Sequence, residues 1–238
     1  SVTRHLRKPQ AFCDNRGMAV QVKICGIKTE EALEVAIESG ADFVGFVFFP
    51  KSPRYVDPDA AGRLGERAGD RIRTVALLVD PSDAELDRIL TAVDPDIIQL
   101  HGAETPERVA EIRIQAGRPV LKAVKVATAA DIIAASAFPA ADMFLFDAKP
   151  AKTAALPGGN GVPFDWPLLA QTPPDRPYML SGGLTAENIA EAIRVTGAQA
   201  VDTSSGVERA PGEKDPAAIR RFVQAAKAVT EPMPIEAA

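Results

Sequence analysis

Residues 20–49 have the sequence VQVKICGIKTEEALEVAIESGADFVGFVFF, in which two apolar runs flank a segment of helical periodicity. The runs Val20–Cys25 and Phe43–Phe48 are rich in β-branched and aromatic residues and are predicted to be strands. Glu30–Ser39 is predicted to be a helix with Thr29 as its N-cap. A strand, a helix and a second strand in this order indicate a parallel sheet.

The sequence of the turn after the first strand distinguishes between two kinds of α/β fold. An open dinucleotide-binding sheet carries the spacing G-x-G-x-x-G there, and Cys25-Gly26-Ile27-Lys28 lacks it. The alternation then continues until eight strands are counted, which favours a closed barrel. We therefore predict an α/β fold, a single-domain (β/α)8 TIM barrel whose eight parallel strands are Val20–Cys25, Phe43–Phe48, Arg73–Val79, Ile97–Leu100, Val120–Val126, Met143–Asp147, Tyr178–Ser181 and Ala200–Thr203.

The chain of 238 residues lies within the range that one such barrel fills. We expect the barrel to span residues 18–230, with Met18 as a natural start. Residues 1–17 are expected to be a disordered N-terminal extension without the apolar stretch of a signal peptide, and residues 231–238 a C-terminal tail. One long loop rich in proline and glycine, Ala148–Pro163, interrupts the barrel pattern and is predicted to be functional.

The overall charge and the cysteines limit the classes of function. The formal net charge of -5 gives no basic footprint for nucleic acid or an anionic membrane surface. The longest apolar run, Phe43–Phe49, is far shorter than the ~20 residues that span a bilayer. Cys13 and Cys25 do not suggest a disulfide framework, so a reducing cytoplasm is expected. We predict an enzyme that binds a small molecule, without cofactor or metal, as either a monomer or a homodimer.

Reactive side chains are predicted at the carboxyl ends of the strands, where barrels of this kind carry their active sites. Cys25 ends the first strand and is either a general base, if the neighbouring cations lower its pKa, or an inert core thiol. Asp147 ends the sixth strand and is either functional or held in a salt bridge by a lysine. Gln99, His101 and Asp202 also lie at strand ends, and a histidine there is either catalytic or structural.

Glycine and serine follow the seventh and eighth strands, where barrels commonly bind phosphate. Gly183 lies in the first of these segments and Ser204-Ser205-Gly206 in the second. Tight turns explain such residues singly, but their occurrence after both strands favours an anion site. Gly158-Gly159-Asn160-Gly161 could close over a ligand or form a surface loop. Arg54 could bind a substrate carboxylate or lie solvated in its loop.

Six motifs between Val20 and about Ala228 are similar, in the same order, to those of the phosphoribosylanthranilate isomerase family. They are VKICGI (22–27), GADFVGFVF (40–48), PKSPRY (50–55), QLHG (99–102), LSGGL (180–184) and VDTSSGVE (201–208). The resemblance implies an aldose-ketose isomerase of tryptophan biosynthesis, which performs a cofactor-independent Amadori rearrangement of N-(5-phosphoribosyl)anthranilate. It also implies roles for site residues: Cys25 as general base, Asp147 as general acid, Arg54 as carboxylate ligand, Gly159, Asn160, Gly183, Ser204, Ser205 and Gly206 as phosphate ligands, and Gln99, His101 and Asp202 in the pocket wall.

Three other functions for a phosphate-binding barrel can be compared with these residues. A sister isomerase of histidine synthesis would be expected to carry aspartate in place of Cys25. A pentose-phosphate epimerase would need metal-binding histidines, and the chain has only His5 and His101. A non-catalytic phosphosugar-binding barrel would not need both Cys25 and Asp147, although ligand binding without turnover would favour it.

Overall fold

The computed structural model describes residues 20–148 and 165–229, which form a closed barrel. Its eight strands are all parallel and pair in sequence order, and β1 pairs with β8 to close the ring. The predicted TIM barrel is thereby confirmed. The strands are β1 (Gln21–Cys25), β2 (Phe43–Val47), β3 (Arg73–Leu78), β4 (Ile97–Leu100), β5 (Val120–Val126), β6 (Met143–Ala148), β7 (Tyr178–Leu180) and β8 (Ala200–Thr203).

Each strand is followed by a helix, and local capping residues explain where most helices begin. Thr29, Ser82 and Thr105 accept hydrogen bonds from backbone N–H groups in the first turns of α1, α3 and α4. The helices are α1 (Glu30–Glu38), α2 (Pro58–Ala68), α3 (Asp83–Val93), α4 (Pro106–Ala116), α5 (Ala129–Ala134), α6 (Pro167–Gln171), α7 (Ile189–Thr196) and α8 (Pro216–Lys227).

Thr185 precedes the helical pattern Ala186–Thr196, which predicts a seventh helix with Thr185 as its N-cap, and this prediction is wrong. The helix α7 begins only at Ile189. The backbone N–H of Thr185 instead donates to Oδ1 of Asn188, 2.8 Å away, and Nδ2 of Asn188 donates to the carbonyl of Gly183 at 2.9 Å. Asn188 therefore stabilises a turn between β7 and α7, because its side chain binds backbone groups of Gly183 and Thr185 in that turn.

Apolar side chains form two main clusters, one between the strands and the helices and one inside the barrel. Phe43, Leu121 and Met143 belong to the inner cluster and are fully buried. Burying one such side chain contributes about 1.5–3 kcal/mol relative to leaving it exposed. The interior of the barrel at the amino ends of the strands is therefore filled by side chains, and a pocket lies at the carboxyl ends.

After β8 the chain forms a short 3-10 turn and a two-stranded hairpin, β9 (Glu208–Ala210) and β10 (Glu213–Lys214). Gly212 lies in the hairpin turn with a φ of +79°, and a Cβ there would lie 2.2 Å from the carbonyl oxygen of Pro53. Only glycine fits both the backbone conformation and this close approach. The hairpin therefore packs against the loop that follows β2. None of the helices in the described residues is long and apolar enough to cross a membrane.

Candidate active site

A pocket opens at the carboxyl ends of the barrel strands, where the sequence predicted the reactive groups. It is lined by nine predicted site residues, Cys25, Arg54, Gln99, His101, Asp147, Gly183, Asp202, Ser204 and Ser205. Gly206 does not line the pocket, and Gly159 and Asn160 lie outside the described residues. Ser181, Gly182 and Thr203 also line it, although no role was predicted for them.

Cys25 lies at the end of β1 above a buried ion pair. Lys23, two residues earlier on the same strand, is fully buried and its Nζ lies 2.8 Å from Oδ1 of Asp202 on β8. Gly45 on β2 makes room for this arrangement, because a Cβ there would lie 3.0 Å from Sγ of Cys25 and 3.2 Å from Nζ of Lys23. A cation is therefore held directly beneath the thiol.

The charges around the thiol have opposing effects on its protonation. Burial raises the pKa of Cys25, while the charge of Lys23 lowers it and that of Asp202 raises it, and the net direction is upward. Burial is the largest single influence on Lys23 and lowers its pKa, but the charges and hydrogen bonds of Asp202 and Cys25 together outweigh burial and the pKa is raised. Cys25 was predicted to be a general base if the neighbouring cations lowered its pKa. The pKa of Cys25 is raised instead, which is opposite to that condition. Lys28, the other lysine considered, donates to the carbonyl of Pro53 at 2.9 Å.

Asp147 lies at the end of β6 beside a histidine and an amide. Nε2 of His101 lies 3.3 Å from Oδ2 of Asp147, without the geometry of a hydrogen bond. Nε2 of Gln99 lies 3.0 Å from Nδ1 of His101. Because an amide nitrogen can only donate, this contact places the proton of a neutral His101 on Nε2, on the side of Asp147. Lys122, a lysine that could have neutralised Asp147, instead pairs with Glu104 at 2.7 Å.

The segments after β7 and β8 form one polar wall of the pocket. Gly182 and Gly183 have positive φ values of +89° and +65°, and a Cβ on Gly182 would lie 2.9 Å from Oδ1 of Asp147. A Cβ on Gly206 would lie 2.0 Å from the carbonyl oxygen of Leu184, so the two segments pack tightly together. Glycine at these positions brings the backbone close to any bound ligand. Ser204 and Ser205, in the segment after β8, also line the pocket.

Arg54, in the loop after β2, also lines the pocket and is held by a residue that the sequence did not single out. Its Nε and Nη2 donate to the two carboxylate oxygens of Glu208, at 2.8 and 3.0 Å. The Arg54 side chain is only 9% exposed. The alternative of a solvated loop arginine is therefore wrong, and Glu208, Lys214 and Lys23 are additional buried charged groups around the pocket.

The chain forms a closed parallel barrel with a thiol, a carboxylate and an arginine at the ends of its strands, and with glycine-bearing turns after β7 and β8. These features define an α/β-barrel enzyme that acts on a small anionic molecule. Residues 22–225 match the family model described as N-(5'-phosphoribosyl)anthranilate (PRA) isomerase. The chain belongs to the N-(5'-phosphoribosyl)anthranilate isomerase family.

Individual relatives agree with this assignment over nearly their whole length. An N-(5'-phosphoribosyl)anthranilate isomerase of Paramagnetospirillum magneticum is 57% identical over 211 residues, which cover 88% of this chain and 98% of the relative. The crystal structure of the phosphoribosyl anthranilate isomerase from Thermotoga maritima has a TM-score of 0.78 and 38% identity, covering 87% of this chain and 98% of that one. A third match is a phosphoribosyl anthranilate isomerase in complex with reduced 1-(o-carboxyphenylamino)-1-deoxyribulose 5-phosphate, at 36% identity, a TM-score of 0.77 and the same coverage.

Proposed function

We propose that this chain is an aldose-ketose isomerase of tryptophan biosynthesis, which converts N-(5'-phosphoribosyl)anthranilate into 1-(2-carboxyphenylamino)-1-deoxyribulose 5-phosphate with Cys25 and Asp147 as its acid-base pair. The observation that carries the proposal is that a thiol and a carboxylate from β1 and β6 line one pocket with Arg54 and Ser204. An Amadori rearrangement needs one group to give a proton and another to take one.

In this mechanism Asp147 gives its proton to the ring oxygen of the ribose, and the ring opens to a Schiff base. The thiolate of Cys25 then takes the proton from C2', which yields an enolamine that tautomerises to the ketone. Lys23 stabilises the thiolate, because its ammonium group lies beneath the sulfur in a buried setting. His101 stabilises the carboxylate that Asp147 becomes, since its Nε2 lies 3.3 Å from Oδ2.

The rest of the pocket would bind the two ends of the substrate. Gly183, Ser204 and Ser205 bind the phosphate with backbone N–H groups and with the Ser205 hydroxyl, and Arg54 binds the carboxylate of the anthranilate ring. Gly206 contributes through its backbone, and the same phosphate role is proposed for Gly159 and Asn160. Gln99 and Asp202 complete the polar lining.

The ligand is thus a small phosphoribosyl compound, and a net charge of -5 favours no nucleic acid or anionic membrane. The described residues that line the pocket belong to one chain, which is compatible with a monomer or a homodimer. We assign the protein to the cytoplasm, where the Cys25 thiol stays reduced.

The test couples the protein to the reaction that makes its substrate. Phosphoribosylanthranilate is generated from anthranilate and phosphoribosyl pyrophosphate with a purified transferase, and the fall in anthranilate-type fluorescence is followed. Cys25→Ala and Asp147→Asn should each lower kcat by about 10²–10⁴-fold, the usual contribution of one general acid or base. Cys13→Ala, which replaces the other cysteine, is the matched control and should keep wild-type activity.

Two outcomes would contradict the proposal. If wild-type protein leaves the fluorescence at its spontaneous rate of decay, the chain is not this isomerase, and binding of the substrate without turnover would favour a phosphosugar-binding barrel. If wild-type protein is active but Cys25→Ala or Asp147→Asn retains full activity, that residue is not part of the acid-base pair.

A further inference from the structure

Three buried charged side chains form a cluster at the pocket, and two of them, Glu208 and Lys214, have no part in the reaction described above. Glu208, on β9, accepts hydrogen bonds from Nε and Nη2 of Arg54 at 2.8 and 3.0 Å. Lys214, on β10, donates to the same carboxylate at 2.9 Å. Arg54 lines the pocket, whereas Glu208 and Lys214 do not.

The two parallel hydrogen bonds from Arg54 to Glu208 form a fork, and this fork determines which edge of the guanidinium faces the pocket. A guanidinium has five N–H donors, arranged so that either the Nε–Nη2 edge or the Nη1–Nη2 edge can hold a carboxylate. Glu208 occupies the Nε–Nη2 edge. The Nη1–Nη2 edge remains for a second carboxylate, so Glu208 fixes the direction from which a ligand can be bound.

Lys214 connects this fork to the turn after β8. Besides Glu208, its Nζ donates to the carbonyl oxygen of Ser204 at 2.9 Å and lies 3.3 Å from Oγ of Ser204. Ser204 Oγ in turn donates to the carbonyl oxygen of Cys25 at 3.0 Å. One ammonium group therefore joins the arginine end of the pocket to the serine end.

The charge balance of this cluster points to an anionic ligand. When Arg54 and Lys214 are both protonated, the three buried groups together carry one positive charge in excess, and burial opposes this charge by lowering the pKa of Lys214. An ion pair that served stability alone would be neutral, because an uncompensated buried charge is costly. The cluster becomes neutral when Arg54 receives one further carboxylate.

We propose that Glu208 and Lys214 are positioning residues: Glu208 orients Arg54 toward the anthranilate carboxylate, and Lys214 sets the spacing between that carboxylate site and the phosphate turn at Ser204. This inference rests on the proposed function. The Gly212 turn supports it, because its contact with the carbonyl oxygen of Pro53 holds the hairpin against the loop that carries Arg54. A substrate with an anion at each end requires such a fixed spacing.

The experiment compares two ligands that differ only in the carboxylate. They are reduced 1-(2-carboxyphenylamino)-1-deoxyribulose 5-phosphate and its counterpart with an unsubstituted phenylamino group, and binding is measured by titration calorimetry. Glu208→Gln should weaken the carboxylate ligand about tenfold or more and the other ligand less than about threefold. The glutamine amide would place an N–H against an N–H of Arg54, so the fork cannot persist.

A competing explanation predicts the opposite sign. If Glu208 acts only through its charge, Glu208→Gln makes the pocket more positive and the carboxylate ligand binds more tightly. Tighter binding, or an equal loss for both ligands, overturns the proposal. Lys214→Met should weaken both ligands, because both carry the phosphate, and an unchanged affinity for the phenylamino ligand would also overturn it.

A matched control comes from the other buried lysine-glutamate pair. Glu104 and Lys122 lie 2.7 Å apart, are as buried as Glu208 and Lys214, and do not line the pocket. Glu104→Gln should therefore change both affinities equally. If Glu208→Gln does not fold, Glu208→Asp keeps the charge but shortens the reach, and the same selective loss is expected.

Turnover of phosphoribosylanthranilate by wild-type protein is measured in parallel. Its absence would refute the proposed function, whereas turnover with an unselective Glu208→Gln refutes the positioning role alone.

Discussion

Replacing Lys23 by methionine should lower the free energy of unfolding by the amount typical of breaking one buried ion pair. Lys23 is fully buried and its partner Asp202 has a side chain only 7% exposed, and Nζ lies 2.8 Å from the carboxylate. After the change Asp202 keeps only the hydrogen bond from Oγ of Ser181 at 2.9 Å. Leaving a buried charge without its partner costs about 3–5 kcal/mol, against a total stability of about 5–15 kcal/mol.

The assay is urea unfolding followed by far-UV circular dichroism, with a solvent-accessible pair as control. Lys227 and Asp42 are also a lysine-aspartate pair, 2.6 Å apart, but both side chains are more than a quarter exposed. Lys227→Met should therefore cost only about 0–1 kcal/mol. In Lys23→Met with Asp202→Asn, both charges are gone and part of the lost stability should return. The reasoning is refuted if Lys23→Met costs no more than Lys227→Met, or if adding Asp202→Asn lowers stability further.

Three further expectations concern the pocket and the core. Because burial raises the pKa of Cys25 and the thiolate is the reactive form, the rate at which iodoacetamide alkylates Cys25 in the Cys13→Ala variant should still be rising with pH at about pH 9, and Lys23→Met should move this rise to higher pH; an alkylation rate independent of pH would contradict it. Gly45→Ala should lower kcat about 10–100-fold, because its methyl group would displace the Cys25 thiol, whereas Gly65→Ala, whose Cβ meets only a carbonyl oxygen at 3.5 Å, should not. Burial raises the pKa of Tyr178 to about 12, so absorbance titration should show a late ionisation that disappears in Tyr178→Phe; its persistence would assign it elsewhere.

The sequence predicted the barrel well because its signals are local. Buried parallel strands are nearly continuous apolar runs, and capping residues such as Ser82 fix helix starts within one turn. The positions of Cys25 and Asp147 follow from the strands that they end. The start of the seventh helix was wrong because the chain first forms a turn in which Asn188 binds backbone groups of Gly183 and Thr185, and residue type alone does not show such contacts.

The parts of the site that could not be predicted depend on contacts between distant positions. Arg54 and Glu208 are 154 positions apart, and Lys23 and Asp202 are 179 apart. The motif that contains Glu208 marked it as part of a family pattern, but no spacing in one sequence shows which residue it binds. The upward shift of the Cys25 pKa depends on burial and on three charges brought together by folding, so it also required coordinates.

The ion pair between Lys23 and Asp202 joins the first strand of the ring to the last. Contacts between segments so far apart form late, because the entropy of closing a long loop is lost before the contact compensates for it, and folding slows as the mean separation of contacting residues grows. The thiol, its cation and the serines after β8 can therefore meet only when the ring has closed. During refolding, turnover should recover later than the helical circular dichroism signal. The return of turnover would then mark the time at which β1 and β8 have paired.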